Sequence, residues 1–389
     1  MPAPLRVAMI GNGFMGAAHS QGWRTAPRFF DLPAIPEMTV MVGRDPDKNA
    51  ALAQRWGWAE ASQDFDAVIA RDDIDVVDIV TPGNLHCDMA IAALEAGKHV
   101  LCEKPLANTV EEAKRMDAAA TAAAERGVLA MVGFTYRRVP AAAFARDLVA
   151  RGALGTIRQV RAQYLQDWLS DPEAPLTWRM DKSKAGSGAL GDIGAHAIDM
   201  AQFITGQTID SVSGVMETFV KERPTMGEGQ GLSGSAGEGR GPVTVDDYAA
   251  FNGRFDSGAL GTFEATRFAT GRKNALRVEV AGDKGSILFD LEDMNAIQYY
   301  DATAPATEQG FRRIYVTEAD HPYLEAWWPP GHMLGYEHGF SHQVKDLVEA
   351  LAAGVQPTPS FADGYQVQRV LDAVERSAGD GSAWVSTQA

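Results

Sequence analysis

The sequence predicts an α/β protein with an N-terminal doubly wound parallel sheet, followed by an α+β domain built on an open antiparallel sheet. Three observations lead there. A glycine-rich turn, Gly11-Asn12-Gly13-Phe14-Met15-Gly16, directly follows the first apolar run. Short apolar runs then alternate with longer helical patterns over roughly the first 150 residues. Beyond Gly155 the texture changes to strand-like runs separated by turn residues, with few helices between them.

Taken in order, residues 5–10 (LRVAMI) read as the first strand and 13–23 as the start of a helix. The second strand is 39–42 (TVMV), followed by a helical pattern over 47–56. Residues 76–80 (VVDIV) form the third strand, closed by Thr81-Pro82-Gly83, and 86–96 a helix stopped at Gly97. The fourth strand is 99–102 (HVLC) and the fifth 129–132 (LAMV). Strands alternating with helices imply βαβ units, and right-handed crossovers give a doubly wound sheet. In the second half the strand candidates are 157–165, 212–220, 248–255, 259–266, 276–280 and 286–290, with turn signals at 255–258 and 282–285. A helix over 193–205 and two tail helices, 338–353 and 363–378, complete the pattern. The expected division is 1–135 and 136–389, with the tail helices as candidates to pack back on the first domain. Residues 227–241 (GEGQGLSGSAGEGRG) are too glycine-rich to pack and are expected to form a mobile surface loop, a tolerated insertion or a lid.

Composition narrows the function. A net charge of −16 repels phosphate backbones and anionic lipid, so nucleic-acid and membrane partners are not expected. No run approaches the ~18 apolar residues of a membrane span, and the first ten residues are too short for a secretory signal. Cys87 and Cys102 form no Cys-x-x-Cys pair, and the spacing of His321, His332, His338 and His342 is irregular, so no metal site is expected. A reducing, cytoplasmic setting fits best.

The glycine turn carries the first chemistry. Gly11 permits the tight turn, Gly13 lets backbone approach a pyrophosphate, and Gly16 lets helix and strand pack closely. Phe14 and Met15 fill the positions between, and the helix N-terminus adds free N–H groups and partial positive charge. This is a Rossmann-type dinucleotide site. At the end of the second strand an NAD-type site places an acid on the ribose. Here Gly43 and Arg44 stand there, which suits a 2′-phosphate and leaves NADP open beside NAD. Arg44 stacking on adenine or lying in solvent, or Asp45 reaching the ribose, are the alternatives. Thr81, Pro82 and His86 follow the third strand, where His86 lies near the cofactor or caps its helix.

Glu103-Lys104-Pro105 follows the fourth strand, at the carboxyl edge where such sheets bind ligands, and Pro105 sets the direction in which Lys104 is aimed. Asp192, His196 and Asp199 are spaced by four and seven, within about 40° of one another on a regular helix. A carboxylate beside an imidazole orients it and raises its basicity, which is what removing an alcohol proton requires. Tyr136 and Arg137 after the fifth strand, and Tyr164, Gln166, Asp167 and Trp168 at the end of residues 157–168, combine paired donors and acceptors with a flat aromatic face. That combination suits a sugar.

These motifs, in this order, resemble the Gfo/Idh/MocA oxidoreductase family, and within it the levoglucosan dehydrogenase and related pyranoside dehydrogenase group. The subfamily likeness rests on Arg137-Arg138, on residues 164–168 (YLQDW), on 187–192 (SGALGD) and on 360–367 (SFADGYQV). The resemblance implies Lys104, Asp192 and His196 as the catalytic group and hydride transfer to C4 of nicotinamide. The expected cofactor contacts are Gly11, Gly13, Phe14, Met15, Gly16, Arg44, Thr81, Pro82, His86, Glu103 and Lys104, with Gly43 and Arg44 departing from the NAD-type pattern of the subfamily. Substrate contacts would come from Tyr136, Arg137, Gln166, Trp168, Asp192 and His196. For the subfamily it implies NAD and oxidation at C3, and for the open sheet a homodimer or homotetramer interface. The expected activity is an NAD(P)-dependent dehydrogenase acting on a secondary ring hydroxyl of a pyranose, an anhydrosugar such as levoglucosan, or a cyclitol. An NAD-dependent glycosidase, which oxidises transiently and eliminates, is the alternative. A cofactor-sensing regulator would lack the Lys–Asp–His set.

Overall fold

The computed structural model describes residues 3–227 and 236–388. It divides into two compact units, one of 1–138 with 323–365 and one of 139–322 with 366–389.

The first unit holds β1 (Ala3–Ile10), α1 (Phe14–Phe29), β2 (Ala34–Val42), α2 (Pro46–Trp56), β3 (Glu60–Ser62), α3 (Phe65–Ile69), β4 (Val76–Ile79), α4 (His86–Glu95), β5 (His99–Cys102), α5 (Val110–Ala124) and β6 (Ala130–Val132). Its six strands run parallel in the order β3-β2-β1-β4-β5-β6. The order reverses at β1, which makes the sheet doubly wound. The inner strands are buried on both faces, so they read as mostly apolar runs, interrupted in β4 by the buried Asp78. Each apolar side chain among them contributes roughly 1.5–3 kcal/mol on burial. The sixth strand, β3, escapes sequence reading because it is three residues long and mostly exposed. The helix α5, also unread, starts at a capping box in which Thr109 and Glu112 each satisfy the other's backbone N–H.

The second unit holds α6 (Pro140–Ala150), β7 (Ile157–Leu165), α7 (Lys182–Ala185), α8 (Ala195–Thr205), β8 (Ile209–Glu217), β9 (Glu222–Met226), β10 (Ala236–Pro242), β11 (Tyr248–Phe255), β12 (Leu260–Thr266), β13 (Ala275–Gly282), β14 (Gly285–Asp290), β15 (Ala296–Asp301), β16 (Arg312–Tyr315) and β17 (Val385–Ser386). Nine strands form one sheet in the order β16-β15-β14-β13-β7-β12-β11-β8-β17. The sheet is mixed rather than wholly antiparallel, because β7 pairs parallel to β12. After β7 the chain passes through α8 and returns to the sheet at β8, so β7 comes to lie between later strands. All but one residue of α8 are buried, and Gly194 at its start lets Ala265 of β12 approach to 3.3 Å of where a Cβ would stand.

The glycine-rich stretch also departs from expectation. Residues 228–235 lie outside the described residues, but β10 is not a loop. It pairs antiparallel with β9, and the partner strand supplies the backbone hydrogen bonds that glycine composition alone does not foretell. The tail provides α9 (His338–Ala353), in the first unit, and α10 (Phe361–Gly379), which spans the division between the units. Within the first unit α9 packs on α1, where Gly22 leaves room for the Phe340 carbonyl at 2.8 Å from a would-be Cβ. Among the described residues no helix is long and apolar enough to cross a membrane.

Candidate active site

In the first unit the glycine turn has the geometry its sequence implies. Gly11 has φ +116°, and a Cβ there would sit 3.0 Å from the Val80 carbonyl oxygen. A Cβ on Gly16 would sit 2.9 Å from the Gly11 carbonyl oxygen, whereas at Gly13 nothing lies within 4 Å. The first turn of α1 carries no acidic residue. Open backbone at Gly13 and an uncompensated helix N-terminus fit a dinucleotide pyrophosphate. Phe14 is exposed and its ring stacks on Tyr336 at 6.4 Å, while Tyr336 meets Tyr136 at 6.3 Å. Met15 instead packs against the apolar core with Trp23 and Met41.

At the end of β2 the position of the missing acid is crowded by two asparagine side chains. Asn12 Nδ2 donates to Asn49 Oδ1 at 3.0 Å, and a Cβ on Gly43 would meet both side chains at 2.4 Å. The Asp45 carboxylate caps α2 by accepting from Lys48 N–H at 3.0 Å. Arg44 is exposed.

Beneath the carboxyl edge lies a group that the motifs did not reveal. His19 of α1 is 2% exposed and lies between two carboxylates. Its Nδ1 is 2.9 Å from Asp78 and its Nε2 is 3.1 Å from Glu103. Burial lowers the pKa of His19, but charge attraction and hydrogen bonds from Asp78 and Glu103 outweigh this and push it up to about 10. Trp23 Nε1–H donates to Asp78 at 2.7 Å, and Glu103 Oε2 accepts from Lys104 N–H at 3.1 Å. His86 is a correction to the expected cofactor contacts. It is 1% exposed, with its ring nitrogens against the carbonyls of Pro105 and Thr81 at 3.0 and 2.9 Å. It therefore shapes these loops from below. Arg137 lies 3.5 Å from Asp363 at the start of α10, where Asp363 also accepts from Ser360.

In the second unit Asp192 does not stand on a regular helix. It lies in a π-helical turn, Leu190–Gly194, ahead of α8, so the face expected from 3.6-residue spacing begins only at Ala195. The turn is held by Asp246, which accepts from Gly188 N–H at 2.6 Å and Leu190 N–H at 2.7 Å. Gly188 has no room for a side chain, since a Cβ would lie 1.8 Å from the Asp246 carbonyl oxygen. Asp192 accepts from Arg267 Nη2 at 2.5 Å. Arg267 lies over the Trp168 ring at 5.2 Å. Burial pulls the Arg179 guanidinium down in pKa while the charge of Asp192 opposes that.

His196, in the first turn of α8, faces the edge of the Tyr164 ring at 5.8 Å. Tyr164 Oη and Gln166 Nε2 both donate to Asn274 Oδ1, at 2.7 and 2.9 Å, and Trp168 Nε1–H donates to Gln166 at 2.9 Å. The structure thus brings Gln166 and Trp168 into one network near His196, together with Arg267 and Asn274. The latter two, with Arg179 and Asp246, are single polar residues outside any spacing pattern, and no local signal marks them.

Residues 5–134 match the oxidoreductase family with an NAD-binding Rossmann fold, and residues 143–288 match the GFO/IDH/MocA C-terminal domain. The chain belongs to the Gfo/Idh/MocA oxidoreductase family. Similar members of this family include the levoglucosan dehydrogenase of Pseudarthrobacter phenanthrenivorans, 45% identical over 98% of this chain and 97% of that protein. A crystal structure of an oxidoreductase domain protein from Kribbella flavida is 61% identical, with a TM-score of 0.96 and full coverage of both chains. A levoglucosan dehydrogenase solved in complex with NADH and levoglucosan is 43% identical, with a TM-score of 0.92 over 99% of this chain and 100% of that one. The first unit of this family member is accordingly an NAD-binding fold, and its glycine turn is the part that fits the cofactor.

Proposed function

We propose that this chain is an NAD-dependent dehydrogenase that oxidises a secondary ring hydroxyl, at C3, of a pyranose or of an anhydrosugar such as levoglucosan, with a cyclitol as the related substrate class. The observation that carries the reading is the wall beside His196. It sets the uncharged amides of Gln166 and Asn274, backed by the buried Tyr164, beside the Trp168 indole, a combination that suits sugar hydroxyls and ring C–H groups. The likeness to levoglucosan dehydrogenase over nearly the whole chain supports it.

In this reading His196 removes the hydroxyl proton, which typically accelerates such a step by ~10²–10⁴. Asp192, steadied by Arg267, favours the imidazolium that forms. Lys104 donates to the oxygen as negative charge develops, a contribution of ~10²–10³ for one donor. When bound, NAD supplies the nicotinamide carbon that accepts the hydride. The glycine turn orients the dinucleotide through backbone N–H groups. The likeness to a levoglucosan dehydrogenase solved with NADH supports NAD, and Arg44 keeps NADP as the alternative cofactor. We further read the chain as a cytoplasmic homodimer or homotetramer. The buried free thiols of Cys87 and Cys102 support the reducing setting, and the exposed Val215 and Leu260 on the open sheet support self-association.

The test is a panel of sugars and cyclitols with NAD and with NADP, read at the reduced-nicotinamide absorbance. Turnover on a pyranose or anhydrosugar with NAD is expected. Lys104→Ala and His196→Ala should each lower it at least ~10²-fold while cofactor still binds. Either variant turning over near the wild-type rate overturns the assignment. Glycoside cleavage with no net change in cofactor would point to the glycosidase reading instead.

A further inference from the structure

We propose that His19 is a positioning residue for Lys104, acting through the carboxylate of Glu103. The inference rests on the reading of Lys104 as the cation that binds the reacting oxygen.

Three ionisable side chains from three elements meet here in a space closed to water. His19 comes from α1, Asp78 from β4, and Glu103 from the residue after β5. Both ring nitrogens of His19 face a carboxylate, at 2.9 and 3.1 Å. A neutral imidazole has one N–H and satisfies one acceptor, whereas the imidazolium satisfies both. Asp78 is held by a second donor, the Trp23 indole, so it anchors one end of the ring. The other end then fixes Glu103 by Oε1, and its Oε2 is left to hold the Lys104 backbone. On the Oε1 side Glu103 lies against Gly133, whose lack of a side chain makes room for it. A Cβ at Gly133 would lie 2.7 Å from Oε1, so even a methyl group is excluded. Phe340 of α9 closes the remaining side of the imidazole at a ring distance of 5.4 Å.

A role limited to joining α1 to the sheet explains this poorly. Burying ions costs more than packing apolar groups of the same volume, and replacement by such groups is often neutral or stabilising. The ions stand one residue from Lys104, and the chain of contacts ends on its backbone. The other titratable groups whose charge acts on this cluster, or feels it, are Cys102 of β5, His86 of α4 and Tyr336. None of them bridges Asp78 to Glu103, so the bridge is His19.

The proposal is tested on the whole enzyme by two measurements. In the unliganded protein labelled with ¹⁵N-histidine, NMR should show His19 with both ring nitrogens protonated at pH 8. A neutral ring there overturns the proposal. In kinetics, His19→Asn should lower kcat at least ~10-fold with the KM for sugar within ~3-fold, and it should add no more than ~3-fold to the loss in Lys104→Ala, because coupled residues are not additive. Glu103→Gln keeps size and shape and is expected to behave the same way, which covers failure of the His19 variant to fold. Full multiplication of the losses in the double variants, or wild-type kcat in Glu103→Gln, overturns the proposal. Near-wild-type turnover in Lys104→Ala alone would instead strike the reading of Lys104 on which it rests.

Discussion

Each of the two units builds a cation–carboxylate cluster, and the two are built differently. In the first unit the side chains of His19, Asp78 and Glu103 are no more than 5% exposed. In the second unit Arg267 is sealed at 1%, but its partner Asp192 stands 34% exposed. A sealed cluster has one stable charge state, since removing a partner strands an ion in a medium that cannot hydrate it. A cluster open on its acidic side can exchange water for another polar partner. The first arrangement holds a backbone in place, and the second presents a charge to whatever enters.

A second contrast, inside the first unit, shows that burial alone does not set the charge. His342 of α9 is as buried as His19, yet it accepts from the Trp327 indole at 2.7 Å and donates to the Arg138 carbonyl at 2.8 Å. With no carboxylate on either ring nitrogen, burial brings its pKa down to about 3. One imidazole is held as a cation and the other as a neutral ring, and the partners decide which.

The contrast can be broken by experiment. The largest effect is expected for Asp78→Ala, which leaves His19 with half of its counter-charge. Breaking a buried pair costs ~3–5 kcal/mol, and urea unfolding at neutral pH measures it. A loss below ~1 kcal/mol would mean that the sealed cluster is not a unit.

The pH dependence of stability comes next. His19 has a folded pKa of about 10 against an ordinary 6.5, so its contribution is complete below 6.5 and is lost as pH rises towards 10. Stability should fall there by up to about 1.4 kcal/mol per pH unit, and His19→Asn should flatten that limb. His342 has the opposite sign. Its folded pKa is depressed, so its contribution is complete above 6.5 and is lost as pH falls towards 3. Denaturation curves at pH 5, 7 and 9 separate the two, and an alkaline limb that survives in His19→Asn removes the imidazolium from the account.

The smallest stability effect is expected at the open cluster. Arg267→Met keeps the buried stem and frees Asp192 to take up water, so the melting temperature should move by the equivalent of only ~1 kcal/mol. Turnover should fall nonetheless. A stability loss as large as that of Asp78→Ala would erase the distinction between the two clusters.

Much of the fold was legible because its signals are local. The runs RVAMI, VVDIV and HVLC are buried on both faces and could be little else than inner parallel strands. The alternating burial of β11 and β14 reads as directly. Gly11, Gly13 and Gly16 are required by a turn whose geometry is complete within six residues. Among the elements missed, β3 and the ribbon of β9 and β10 are short or glycine-rich and exist because a neighbouring strand supplies their hydrogen bonds, and the edge strands β15 and β16 went unread as well. The parallel pairing of β7 with β12 joins residues about a hundred positions apart and leaves no mark on either strand.

The candidate site divides in the same way. Lys104, Asp192 and His196 were nominated from short motifs, although Asp192 lies in a π-helical turn rather than on the regular helix its spacing implied. Sequence alone determined the glycine turn for a dinucleotide and nominated an ammonium, an imidazole and a carboxylate. Tertiary structure decided the neighbours around them. It placed His19 between two carboxylates and put Arg267 on Asp192, using residues 59, 84 and 75 positions apart. Charge in a protein depends on what surrounds a group in space, and only the folded chain brings those surroundings together.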